Sequence, residues 1–216
     1  MGMGRTGGLR PLIPSKRHYN FGMTSAQNTT PDEFSLSGQF LVAMPNMLDP
    51  SFAGSVVYLC EHSSKGAMGL VINRATDLSI RSLLEKVDLE VEGSLPELFP
   101  VMFGGPVAGE RGFVLHTGQR NWKSSLKVTD NIRLTTSKDI LEAVARGQAP
   151  DQWLITLGYA GWSEGQLEEE LAQNAWLTVP ANQDILFSMP LEERFASAYG
   201  LLGIDPSLLS GSAGHA

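Results

Sequence analysis

Residues 55–74 read Ser55-Val56-Val57-Tyr58-Leu59-Cys60-Glu61-His62-Ser63-Ser64-Lys65-Gly66-Ala67-Met68-Gly69-Leu70-Val71-Ile72-Asn73-Arg74, and this stretch decides the fold class. Two apolar runs, 55–61 and 67–73, flank a polar segment at 62–66, the spacing of a β-hairpin with a five-residue loop. Side chains alternate along a strand. With Glu61 set opposite Ala67, Cys60 lies across from Met68, Tyr58 from Leu70 and Val56 from Ile72. The other face carries Val57, Leu59, Ala67, Gly69 and Val71. Both faces are apolar, so the hairpin is expected in the middle of a sheet, covered on both sides.

Outward from the hairpin, 39–44 reads as a short strand stopped by Pro45, and 45–50 as a turn-rich loop. An amphipathic helix is expected over 79–87, with Ile80, Leu83, Leu84 and Val87 on one face. Strands at 101–103 and 112–116 flank a glycine-rich loop at 104–109, and shorter strands are expected at 126–128 and 132–135. Ser137 opens a helix to Arg146, and Gly147 stands at its stop position. A strand at 153–159 leads into a glycine loop at 158–162. Ser163 and Gln166 form a capping-box pattern for a helix to about Gln173. Strands at 175–179 and 184–187 precede a helix from Pro190 to Gly203 that places Leu191, Phe195, Ala198, Tyr199 and Leu202 on one face. Strands outnumber helices and neighbours pair as hairpins. The expected fold is α+β: a single domain with a mixed, largely antiparallel β-sheet packed by several helices.

The chain has 216 residues, is 42% hydrophobic and contains one cysteine. No intrachain disulfide can form, which suits a reducing, cytoplasmic setting. No apolar run is long enough to span a membrane. Residues 1–34 are rich in Gly, Pro, Ser, Thr and Asn and read as a disordered extension, with translation expected to begin at Met23; 35–210 form the domain and 211–216 a flexible tail. Four of the 16 Lys and Arg residues precede Met23 and no acid does, leaving twelve bases against 23 acids in the remainder. So acidic a body disfavours direct nucleic-acid binding unless a local basic patch compensates.

Several residues invite chemistry. Cys60 and His62, two apart and nominally on one face, could form a thiolate–imidazole pair. The competing reading is a small buried hydrophobe whose thiol burial keeps protonated. Glu61 would then lie on the opposite face. His62, His116 and Cys60 lack any paired-cysteine or His-Glu-x-x-His pattern, so neither metal nor cofactor is expected. Gly104 and Gly105 lack the spacing of a phosphate loop, and the helix after Gly161 is acidic; tight packing explains these glycines better. Asn73, Arg74, Arg111 and His116 sit at strand ends, where the arginines suit a carboxylate or phosphate or an internal salt bridge. Trp162 is the tryptophan best placed to be partly exposed for binding.

The motifs Gly38-Gln39-Phe40-Leu41-Val42-Ala43-Met44-Pro45, Asp49-Pro50-x-Phe52, Ser55-Val56-Val57-Tyr58-x-Cys60-Glu61-His62 and Gly66-Ala67-Met68-Gly69-Leu70-Val71-Ile72-Asn73-Arg74 occur in order. They continue in Phe103-Gly104-Gly105-Pro106-Val107, Arg111-Gly112-Phe113-Val114-Leu115-His116, Gly158-Tyr159-Ala160-Gly161-Trp162, Gly165-Gln166-Leu167-Glu168 and Asn174-Ala175-Trp176-Leu177. This series resembles the YqgE/AlgH family of bacterial proteins, from about Leu36 to the C-terminus. Ala75 departs from it, since the family often has proline there, as does the long N-terminal extension. The resemblance implies an α+β fold and a bacterial cytosolic protein. Some members carry the label of transcriptional regulator, by association with alginate production. No helix-turn-helix pattern is present. Regulation through a protein partner or small ligand is therefore the expected function, and catalysis is not; the alternatives are a thiol-dependent enzyme or redox-responsive protein built on Cys60 and His62, and a direct transcriptional regulator.

Overall fold

A computed structural model describes residues 35–93, 95 and 100–203. The expectations for residues 1–34, the Met23 start and the C-terminal tail fall outside these. In chain order the elements are β1 (Gln39–Ala43), β2 (Val56–Ser63), β3 (Gly66–Val71), α1 (Ile80–Lys86), β4 (Met102–Phe103), β5 (Val107–Thr117), β6 (Ser125–Lys127) and β7 (Ile132–Thr135). There follow α2 (Lys138–Ala145), β8 (Trp153–Ser163), α3 (Gln166–Ala172), β9 (Trp176–Pro180), α4 (Gln183–Phe187) and α5 (Leu191–Gly200). The strands run β6-β7-β5-β8-β3-β2-β1-β9 with antiparallel neighbours, and β4 pairs parallel with β8. The domain is α+β with a mixed, largely antiparallel sheet, and the central, doubly covered place expected for the hairpin is where β2 and β3 lie.

Each face of the sheet has its own core. Phe40, Tyr58, Cys60, Met68 and Leu70 join Ala198 and Tyr199 of α5 on one side. On the other, Leu41, Val57, Leu59, Ala67 and Val71 pack with Trp162, Leu167 and Trp176. Farther along, α1 and α2 cover Val114 and Ile155 through Leu84, Ile140 and Val144. The Ser79 side chain caps α1 by accepting from the Ser82 amide.

Strand β8 belongs to both halves of the sheet. Trp153 to Leu157 pair with β5, whereas Ala160 to Ser163 pair with β3. The 158–162 segment, expected as a glycine loop, is therefore strand. Likewise β5 begins at Val107, inside the expected 104–109 loop. Where β3 and β8 diverge, Gly104 fills the gap: its carbonyl accepts from the Val71 amide and its N–H donates to Leu157 O. A Cβ on Gly104 would stand 2.2 Å from Gly158 O, and one on Gly105 2.2 Å from the Tyr159 carbonyl carbon. The glycines thus allow two backbones to cross in contact, the packing role favoured from sequence.

Two other elements differ from expectation. Residues 184–187 lie in helix α4, because Asn182 caps it by accepting from the Asp184 and Ile185 amides. α3 starts at Gln166 after Gly165 rather than after Ser163. The capping-box pair still interacts, since Gln166 Oε1 accepts from the Ser163 amide at 3.0 Å and its hydroxyl at 3.1 Å.

Candidate functional site

The β2–β3 register changes the geometry read from strand parity. Tyr58 faces Leu70 and Leu59 faces Gly69, as a regular ladder requires, but Glu61 then faces Met68, His62 faces Ala67 and Ser63 faces Gly66. Cys60 is the extra residue of a β-bulge. Two residues of the bulged strand, Cys60 and Glu61, oppose Met68 and share its face. His62 passes to the opposite face with Ala67. The hairpin loop shrinks to Ser64-Lys65. Parity had set Cys60 beside His62 and opposite Glu61, and the bulge inverts both relations.

The surroundings agree. Cys60 is 2% exposed among Tyr58, Met68 and Leu70, and its Sγ lies 3.7 Å from Tyr58 O. Burial, with the neighbouring Glu61 charge, pushes the thiol well above the ordinary cysteine range. Burial also raises the Glu61 carboxyl. His62 Nδ1 accepts from the Leu36 amide at 3.1 Å, so Nε2 carries the proton and donates to Glu168 Oε1 at 2.8 Å. The imidazole ties α3 to the residue that leads into β1. His116 is fully buried; Nδ1 bonds Thr117 O at 3.0 Å and Nε2 bonds Thr135 Oγ1 at 2.9 Å. Burial lowers its pKa.

The strand-end residues Asn73 and Arg74 hold the loop at 44–54. Asn73 Oδ1 accepts from the Val56 amide, and its Nδ2 donates to Gly54 O, both at 2.9 Å. Arg74 Nη1 donates to Pro50 O at 2.9 Å and Nη2 to Ala53 O at 2.5 Å. From the other side Phe52 stacks on Trp162 at 6.2 Å between centroids and meets Trp176 edge-on at 5.5 Å. Both indole N–H groups donate to Glu170 Oε2, at 2.9 Å from Trp162 and 2.8 Å from Trp176. Trp162, expected to be partly exposed, is buried under this loop. Leu48, within the loop, is 83% exposed. Against Pro50 and Ser51 of the loop lies a shallow depression of about 440 Å³, lined also by Arg74, Ala75, Thr76 and Phe103.

Of the residues singled out from sequence, Arg74 and Asn73 meet at this loop, and Trp162 supports it from beneath. Gly104 and Gly105 lie in the backbone crossing, and Gly161 follows it on β8. Arg111 is exposed on β5 and lies over the Phe113 ring at 5.4 Å. Cys60 and His116 are sealed in separate places. Among the described residues, no three His, Cys, Asp or Glu side chains gather as metal ligands, and no helix is long and apolar enough to cross a membrane.

The family model described as AlgH-like, DUF179, matches residues 40–207. The chain belongs to this family. A UPF0301 protein from Ralstonia nicotianae is 58% identical over 181 residues, 84% of this chain and 95% of that one. A UPF0301 protein from Cupriavidus metallidurans is 57% identical over 188 residues, 87% and 99% of the respective chains. The solution structure of the AlgH protein from Pseudomonas aeruginosa is 45% identical and superimposes with a TM-score of 0.70, covering 88% of this chain and all of that one. A crystal structure from Corynebacterium diphtheriae shares the fold at 18% identity, with a TM-score of 0.66 over 84% of this chain and 94% of that one.

Two residues of consequence were missed in the sequence. Arg194 is 1% exposed; Nη1 donates to Ile72 O at 2.6 Å and Nε to Met189 O at 2.9 Å, and burial lowers its pKa to about 10. It stands three residues after Leu191, within the apolar stripe of α5, and that spacing was the available signal. Glu170 was read only as part of an acidic helix, and nothing local in sequence marks it as acceptor for two tryptophans.

Proposed function

We propose that this protein is a regulatory binding protein that engages a protein partner through the loop at 44–54 and its adjoining depression. The carrying observation is Leu48: a large aliphatic side chain held in solvent on a loop pinned by Asn73, Arg74 and Phe52. Rigid presentation lowers the ordering cost of binding, and an anchor of this kind inserts into a partner's pocket. The Arg74 side of the depression supplies donors next to the apolar Pro50, Ala75 and Phe103. Burial of Cys60, with His62 on the other face, favours this reading over a thiol enzyme.

The test places a photo-reactive residue at position 48 in cells and identifies what it captures. The purified partner is then titrated against the wild-type protein and Leu48→Glu. Full burial of a leucine is worth about 1.5–3 kcal/mol, so the variant should bind at least tenfold more weakly with unchanged stability. Capture no stronger than from exposed Glu192 on α5, or equal binding by Leu48→Glu, would overturn the reading.

A further inference from the structure

The acidic body has one basic region. Residues 111–146 contain seven Lys and Arg against three Asp and Glu, while the remainder from Met23 onward holds five against twenty. The sheet gathers part of this charge at one end. Across β6, β7 and β5, Lys127 faces Arg133, and Arg133 faces His116. Like charges directly opposite on a sheet repel. Lys127 is relieved by Asp130 at 2.8 Å. Arg133 is not: among the described residues no carboxylate lies within 4 Å of its guanidinium.

Two buried donors in this neighbourhood find no acceptor among the described residues, Arg133 Nε and Trp122 Nε1. His116 adjoins both residues. It is the register partner of Arg133, and its ring meets Trp122 edge-on at 6.5 Å. Both its nitrogens are engaged, so it can accept from neither donor. A second guanidinium, Arg120, lies over the Trp122 ring at 4.1 Å. Buried N–H groups are almost always paired. Arg120 over the indole ring and Arg133 opposite His116 offer donors and charge but no acceptor, and a small anion rich in acceptors completes such a set.

We propose that Arg120, Trp122 and Arg133 form a binding site for a phosphate-type oxyanion, as inorganic phosphate or the head of a phosphomonoester, at the β5–β6–β7 end of the sheet. The site is separate from the docking loop and does not depend on it. Phosphate oxygens accept from both guanidiniums and from the indole, and the local positive charge attracts a dianion that the rest of the molecule repels.

Indole N–H resonances of the 15N-labelled full chain read the site directly, with Trp122→Phe assigning the signal. Inorganic phosphate and glycerol 3-phosphate are titrated separately at constant ionic strength. The Trp122 signal should move saturably, with a midpoint at or below about 1 mM, while the other indole signals stay. A tighter response to the ester identifies phosphomonoesters as the ligand class, and an equal response identifies free phosphate; both support the site. Arg120→Gln and Arg133→Gln should each weaken binding about tenfold. Arg120 is exposed, so its substitution leaves folding intact even where Arg133→Gln does not. No saturable shift, an equal shift with chloride or acetate, or unchanged affinity in Arg120→Gln would each overturn the proposal.

Discussion

Replacing Glu170 with alanine should loosen the platform beneath the docking loop. Its Oε2 accepts from the indoles of Trp162 on β8 and Trp176 on β9, and its Oε1 accepts from Gln166 Nε2 at 3.0 Å. Removing the carboxylate leaves two largely buried N–H donors without their acceptor, at about 1–3 kcal/mol each. Glu170 itself is half-buried, so water can reach part of the gap, which favours the lower half of that range. The Gln166 bond adds less, about 0.5–1 kcal/mol. The total is about 2.5–5 kcal/mol, or roughly 5–20 °C in melting temperature for a domain of this size. Urea titration followed by tryptophan fluorescence measures the loss, and the native spectrum should shift to the red as the indoles are wetted. Glu170→Gln separates hydrogen bonding from bulk: one carbonyl oxygen can still receive both indoles, so the loss should be about 1 kcal/mol. A Glu170→Ala variant within 1 kcal/mol of wild type, or a Glu170→Gln variant equally damaged, would refute the argument.

Three further outcomes are expected. Cys60 should react with a thiol reagent at pH 8 at least 100-fold more slowly in the native state than in urea, because burial holds it protonated and out of reach; fast native labelling would contradict this. His116 has a lowered folded-state pKa, so below about 6.5 the unfolded chain binds more protons at this residue and stability falls with pH; melting temperatures from pH 8 to 5 should show this fall, with a shallower one in His116→Gln. Gly105→Ala drives a Cβ into the Tyr159 backbone and should yield little folded protein, whereas Gly112→Ala, with nothing within 4 Å, should express and melt nearly as wild type.

Much of the architecture was legible because it rests on local rules. The apolar character of both hairpin faces placed β2 and β3 centrally, and the stripe of α5 was visible in its spacing. What escaped depended on one long-range alignment. Strand parity is reliable only while the ladder is regular, and the bulge at Cys60 is invisible until β3 is laid against β2. That one residue separated a plausible nucleophile from its base. The continuation of β8 through Gly158 and Gly161 was hidden for a similar reason: local preference marks glycines as breaks, while pairing with β3 overrides it. The residues at the docking loop were partly legible, since Asn73 and Arg74 stood out, but their attachment to carbonyls twenty residues earlier is a tertiary fact. Arg120, Trp122 and Arg133 carry no motif at all.

The shared strand β8 bears on how the molecule comes apart. Its first five residues serve β5 and its last four serve β3, so neither half of the sheet can peel away with its hydrogen bonds intact. Opening one end pulls on the other through a continuous backbone. Slow amide exchange should therefore extend along β8 at nearly one rate, rather than dividing at Gly158 into a stable and a labile portion. Cleaving the chain near that glycine would leave two fragments, each with a raw sheet edge and an incomplete core, that regain structure only when mixed.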